Sequence, residues 1–157
     1  YLLIQNINTG GLKMFKKLLA VLIYYKHNVS MLHWKTCGTN FQDNHVFLGG
    51  LYDEMEGHID AIAELGLQIG QNPISLSDTL AFLSEDSHEY VGINPNADYN
   101  ADDTFKAVIT MFNEISIIIE DICKNESLSE AQRNDLAALS SWYSLRANYL
   151  LPRRLIN

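Results

Sequence analysis

The chain has 157 residues, enough for one domain to bury a sizeable core without disulfides. Its 47% hydrophobic content is that of a globular protein, and no apolar run approaches the roughly 18 to 20 residues that span a bilayer, so no membrane span is expected. With 11 Lys+Arg against 19 Asp+Glu the net charge is -8, which repels phosphate backbones and makes metal cations better guests than nucleic acid.

In chain order, residues 1–10 read as an N-terminal extension of a single domain spanning 1–157. The opening from Tyr1 to Ile4 lacks the cationic flank and the small-residue cleavage site of an export signal. Cys37 and Cys123 fit neither a disulfide framework nor a zinc ribbon, so free thiols and a cytoplasmic setting are expected. From Gly11 to about Lys35, Phe15, Leu18, Leu22, Tyr25, Val29 and Leu32 recur at helical spacing, with Thr9 as a candidate cap. From Phe41 to about Ile69, Leu48, Tyr52, Met55, Ile59, Ile62 and Ile69 repeat the stripe, with Asn40 placed to cap it and Gly70 to stop it.

Ser75 to Asp78 reads as a capping box opening a short helix near residues 75–83, and the Gly, Asn, Pro and Asp residues from Ser87 to Asn100 read as loop. A third long helix is predicted over about Asp103 to Lys124 on Phe105, Val108, Phe112, Ile115, Ile119 and Ile122. A second box, Ser127 to Glu130, opens a fourth over about 128–151 that Pro152 closes. Short links within each helix pair and a long crossover between helices 2 and 3, carrying its own short helix, predict an all-α, ferritin-like four-helix bundle. The Asx-rich loop lacks the ordered ligand spacing of an EF-hand.

His33 falls near the end of the first helix and His45 near the start of the second, so an antiparallel hairpin brings them together. Asp60 and Glu64 share one face of the second helix, but Asp60 lies roughly 22 Å along the axis from His45 at 1.5 Å per residue. One chain cannot wrap all four around one ion; antiparallel pairing of two second helices about a twofold axis can. Taken alone, such a carboxylate pair is more often a solvated helix edge, and such a histidine a hydrogen-bonded helix end.

The residues between add to this. His33, Trp34 and Lys35, then Gly38, Asn40 and Phe41, His45 and Phe47, Tyr52 to Glu54, and Asp60 with Glu64, closing at Gly70, resemble in order and spacing the signature of the Dps family of mini-ferritins. The resemblance implies a hollow dodecamer with ferroxidase sites at twofold interfaces, His33 and His45 coming from one subunit and Asp60 and Glu64 from its partner. It implies oxidation of Fe2+ to Fe3+, with hydrogen peroxide as the usual oxidant, and storage of the ferric mineral. Zn2+ could occupy the same mixed imidazole and carboxylate set.

The family commonly has an aspartate four residues after the second histidine, where this chain has Gly49. That departure implies a weaker second metal position, and the alternative reading is a catalytically weak or silent shell, or a DNA-protecting structural protein. A carboxylate restored by Gly49→Asp is expected to strengthen that position if it can reach the metal. By resemblance Trp34 is a candidate redox neighbour, although an indole is more often core, as is Tyr52. Glu120, Asp121, Glu126 and Glu130 are candidates for an acidic iron-entry pore, and ordinary capping explains them as well. The basic residues Lys13, Lys16, Lys17, Arg153 and Arg154 form no long tail, so direct DNA binding is not expected.

Overall fold

The structure, a computed structural model, describes residues 9–124 and 127–155, with side chains from Lys13 onward. Five helices follow one another: α1 (Thr9–Lys35), α2 (Phe41–Gln68), α3 (Leu76–Glu85), α4 (Ala101–Cys123) and α5 (Glu130–Leu145). The predicted stripes of α1 and α4 are the core, and all six named residues of each are buried. On α2 the seam runs through Leu48, Leu51, Met55, Ile62 and Leu65, while Tyr52, Ile59 and Ile69 sit half-buried at its edge. Each fully buried Leu, Ile or Phe contributes about 1.5–3 kcal/mol, more than any single cap, so this seam dominates the stability of the bundle.

Cross-helix contacts give the directions. His33 meets His45 and Lys26 meets Glu56, so α1 and α2 are antiparallel. Ser116 pairs with Ser140 and Phe112 with Tyr143, so α4 and α5 are too. Tyr25 donates to Glu114, while Thr36 at the end of α1 meets Tyr99 just before α4, which makes α1 and α4 antiparallel as well. Hence α2 and α4 point the same way, and residues 69–100 must carry the chain back along the bundle. That requirement is the physical origin of the long crossover.

The crossover is fastened to α1 throughout. Lys17 pairs with Asp86 at 2.9 Å, Asn28 donates to the Val91 carbonyl at 2.8 Å, and Lys35 pairs with Asp98 at 2.7 Å. Tyr99 and Thr36 form one isolated parallel bridge, with Tyr99 N–H on the Lys35 carbonyl at 3.0 Å; no strand grows from it among the described residues. Burial and Glu114 push the Tyr25 hydroxyl far above its usual pKa, so it remains a donor.

The helix ends correct several expectations. α1 begins at Thr9, two residues early, so Thr9 is its first residue and not a flanking cap; residues 1–8 lie outside the described part. Asn40 precedes α2 at φ +25° without a side-chain cap bond. α2 stops in a Schellman turn, with Gln71 N–H on the Gly66 carbonyl at 2.8 Å and Gly70 at φ +82°. Ser75 caps α3 by accepting from Asp78 N–H at 3.1 Å. Asn100 caps α4, which therefore starts at Ala101.

The box on α5 is Ser129 with Gln132, not Ser127 with Glu130. This frame buries Leu128, which a helix starting two residues earlier would carry on its own surface. The regular part of α5 ends at Leu145, and Arg146–Leu150 forms a π-helical turn in which Leu151 N–H reaches the Arg146 carbonyl at 2.8 Å. That turn keeps Tyr143, Ala147 and Leu151 all buried before Pro152 removes the next donor.

Candidate metal centre

α1 and α2 are joined by residues 36–40, where Gly38 at φ +96° supplies a left-handed conformation that few other residues adopt. Phe41 N–H closes onto the Gly38 carbonyl at 3.1 Å. This tight link places the last turn of α1 beside the first turn of α2. His33 and His45 consequently stack, with ring centroids 3.7 Å apart and planes inclined by 22°. His33 Nδ1 lies 2.7 Å from the His45 carbonyl, and His45 Nδ1 lies 2.8 Å from the His33 carbonyl.

A carbonyl oxygen only accepts, so each Nδ1 carries a proton, and the nitrogen left to offer a lone pair to a metal is Nε2. Such a tie on one nitrogen is how a ligating histidine is usually oriented. Phe41 flanks the outer face of His45 at 5.3 Å, and Tyr52 stands edge-on to His33 at 5.3 Å. The sequence marked Tyr52 as core; it is half-buried and serves as the side wall of His33.

Asp60 and Glu64 are both exposed on α2, and neither makes a hydrogen bond or ion pair with the described residues. Of the nearby carboxylates, Glu56 is engaged with Lys26, and Glu54 with Arg146 and with Trp142 Nε1–H at 2.8 Å, whereas Asp53 shares the exposed, unpaired state of Asp60 and Glu64 among the described residues. Among the described residues no three potential ligands converge. Each chain thus carries an oriented imidazole pair and, well down the same helix, an unengaged carboxylate pair.

Glu64 also borders a groove of about 450 Å³ between α2 and α5, shared with His58, Asp135 and Trp142. His58, which the sequence gave no reason to single out, has Nδ1 2.9 Å from the buried Tyr143 hydroxyl, and burial lowers its pKa. His88 pairs with Glu114 at 3.3 Å, and His27 packs edge-on to Trp34 at 6.4 Å. Trp34 is 63% exposed, against the expectation of a core indole, and borders a second groove with Leu76 and Leu80 of α3.

Of the pore candidates, Asp121 is paired with Lys124 at 2.6 Å, whereas Glu120 and Glu130 are exposed at the facing ends of α4 and α5. Glu126 lies outside the described residues. Both cysteines are free thiols. No helix among the described residues is long and apolar enough to cross a membrane.

No family model matches the chain. Over 56 residues, 35% of this chain and 36% of the relative, the sequence is 45% identical to the DNA protection during starvation protein of Brevibacillus brevis. The matched stretch spans only about a third of that relative. The fold is similar to a crystal structure of a Dps protein from Bacillus brevis, with TM-score 0.81 and 23% identity over 94% of this chain and 96% of the other. It is also similar to the Dps protein of Vibrio cholerae O1, a member of a broad superfamily of ferritin-like diiron-carboxylate proteins. There the TM-score is 0.70 and the identity 20%, over 94% of this chain and 87% of the other. The structural likeness is one of fold.

Proposed function

We propose that this chain is a member of the Dps family of the ferritin-like superfamily, oxidising ferrous iron at sites shared between two subunits and storing the ferric product inside a closed homo-oligomer. The observation that carries this reading is the pairing of two half-sites on one chain. His33 and His45 are held by Nδ1, leaving Nε2 available, while Asp60 and Glu64 have no partner among the described residues. A twofold partner lying antiparallel along α2 sets the imidazoles of one chain against the carboxylates of the other.

Iron is the substrate here, and the donor set suits it. Anionic oxygens favour the ferric state, and imidazoles complete the shell; Zn2+ would compete for the same donors. Each ferrous ion gives up one electron. One hydrogen peroxide accepts two such electrons with two protons and leaves as two waters, so iron and peroxide are consumed together. The oligomer is proposed to be a dodecamer, with Glu120, Asp121 and Glu130 lining the iron entry; in this scheme Lys124 offsets one of those charges.

The test is stopped-flow iron oxidation with peroxide, by parent and by Glu64→Ala. Glu64 is exposed and unpaired, so its removal should leave helicity, melting and assembly unchanged while abolishing rapid oxidation. Parental kinetics in Glu64→Ala, or a parent no faster than buffer, would refute the proposal. The second outcome would favour the silent-shell alternative raised by Gly49.

A further inference from the structure

α2 carries glycines at 49, 50, 57 and 66, all within the helix, where glycine is a poor residue; Gly66 lies at the closing turn, where a Cβ would meet Gln71. Their surroundings differ. A Cβ at Gly50 or Gly57 would meet nothing within 4 Å, whereas a Cβ at Gly49 would lie 3.3 Å from His33 Cε1 and 3.5 Å from His33 Nδ1. A side chain at 49 would therefore press on the His33 ring, which would have to give by a few tenths of an ångström.

The ring has little freedom to give way. Its Nδ1–H is held 2.7 Å from the His45 carbonyl, its face lies 3.7 Å from the His45 ring, and Tyr52 closes its edge at 5.3 Å. We infer that Gly49 is a positioning residue for His33: the missing Cβ seats the imidazole against α2 and so sets where its Nε2 lone pair points. This rests on the reading of His33 as a metal donor.

Two consequences follow. A methyl at 49 must tilt or slide the ring by a few tenths of an ångström, which stretches the bond to the His45 carbonyl and moves Nε2 with it. Metal sites hold donor distances within roughly ±0.2 Å, so a shift of that size reaches affinity. A carboxylate at 49 brings the same Cβ, so Gly49→Asp gains an anion but also presses on the His33 ring of this chain. The glycine is then an element of the site's construction, and not simply a ligand lost.

The experiment compares parent, Gly49→Ala and Gly50→Ala as assembled proteins, through metal-free crystal structures and Co2+ titrations followed by calorimetry and d–d absorption. Gly50→Ala should match the parent in both. Gly49→Ala should keep its helicity and assembly, show a displaced His33 ring with a lengthened Nδ1 contact, and bind Co2+ about 10–100-fold more weakly, the loss typical when a donor's orienting contact is disturbed.

A thermal double-mutant cycle with His33→Ala covers the case of a poorly assembling variant. Any destabilisation by Gly49→Ala should vanish once His33 is absent. The inference is overturned if His33 stays in place in Gly49→Ala, if Gly50→Ala weakens Co2+ equally, or if the Gly49→Ala penalty persists without His33. A parent that fails to oxidise iron, while Gly49→Ala still displaces the ring, would remove the proposed activity and leave the positioning role standing.

Discussion

Complementation between two inactive variants tests the shared site directly. His33→Ala/His45→Ala removes the imidazole half, and Asp60→Ala/Glu64→Ala removes the carboxylate half. The first variant also loses the two reciprocal ring-to-carbonyl bonds, about 1 kcal/mol each, and should melt slightly lower. The second loses no hydrogen bond or ion pair among the described residues and should melt like the parent. Each alone should oxidise iron at the background rate. When both chains assemble at random, about half of the twofold pairs are mixed, and a mixed pair holds one site with both halves native and one with neither, so about a quarter of all sites recover. Co-expression with two different tags, tandem purification and stopped-flow oxidation would measure the recovery. No recovery in verified mixed particles, or parental activity in either variant alone, would refute the sharing argument.

Ser129→Ala removes the hydroxyl that accepts from Gln132 N–H, while the Gln132 side chain can still accept from the backbone N–H of residue 129, and should lower stability by about 1 kcal/mol, as urea unfolding would show. Asp86 is held near pKa about 2 by the Tyr90 hydroxyl and then Lys17, below its ordinary 3.8. Its contribution is thus full above about pH 4 and lost as pH falls toward 2. In this partly solvated setting it should be about 1 kcal/mol, and Asp86→Asn should flatten that acid limb of the urea midpoints. Duplex DNA should show no mobility shift near physiological salt without divalent metal, because a net charge of -8 repels phosphate; a salt-sensitive shift would contradict this.

Periodicity made α1 and α4 legible, because their apolar stripes are uninterrupted and every named residue is buried. On α2 it named the edge residues Tyr52 and Ile59 but passed over Leu51 and Leu65, since an apolar arc wider than one stripe leaves its centre undecided. The predicted box at Ser127 and Glu130 gives way to the same kind of pattern two residues on, Ser129 with Gln132, in a frame where Leu128 is buried just before the helix, a tertiary contact that a local pattern does not encode. The π-helical turn was hidden because its hydrogen-bond shift leaves the Tyr143, Ala147 and Leu151 spacing looking like ordinary helix.

At the candidate site, the meeting of His33 with His45 was legible from helix ends and a short link. The tie of each ring to the other's carbonyl was not, since backbone carbonyls carry no sequence signal. Nor was the outward turn of Trp34, which follows the buried Leu32 and the half-buried His33. Gly49 looked like a missing carboxylate in sequence, and only the distance to His33 reveals a steric role.

The distance along α2 between the histidine pair and the carboxylate pair has a kinetic consequence. Under the proposed sharing, a lone subunit carries halves of two different sites and completes neither, so at low expression the number of competent sites grows with the square of subunit abundance. A lone, freshly synthesised chain would therefore be inert toward iron until a twofold partner completes its two half-sites.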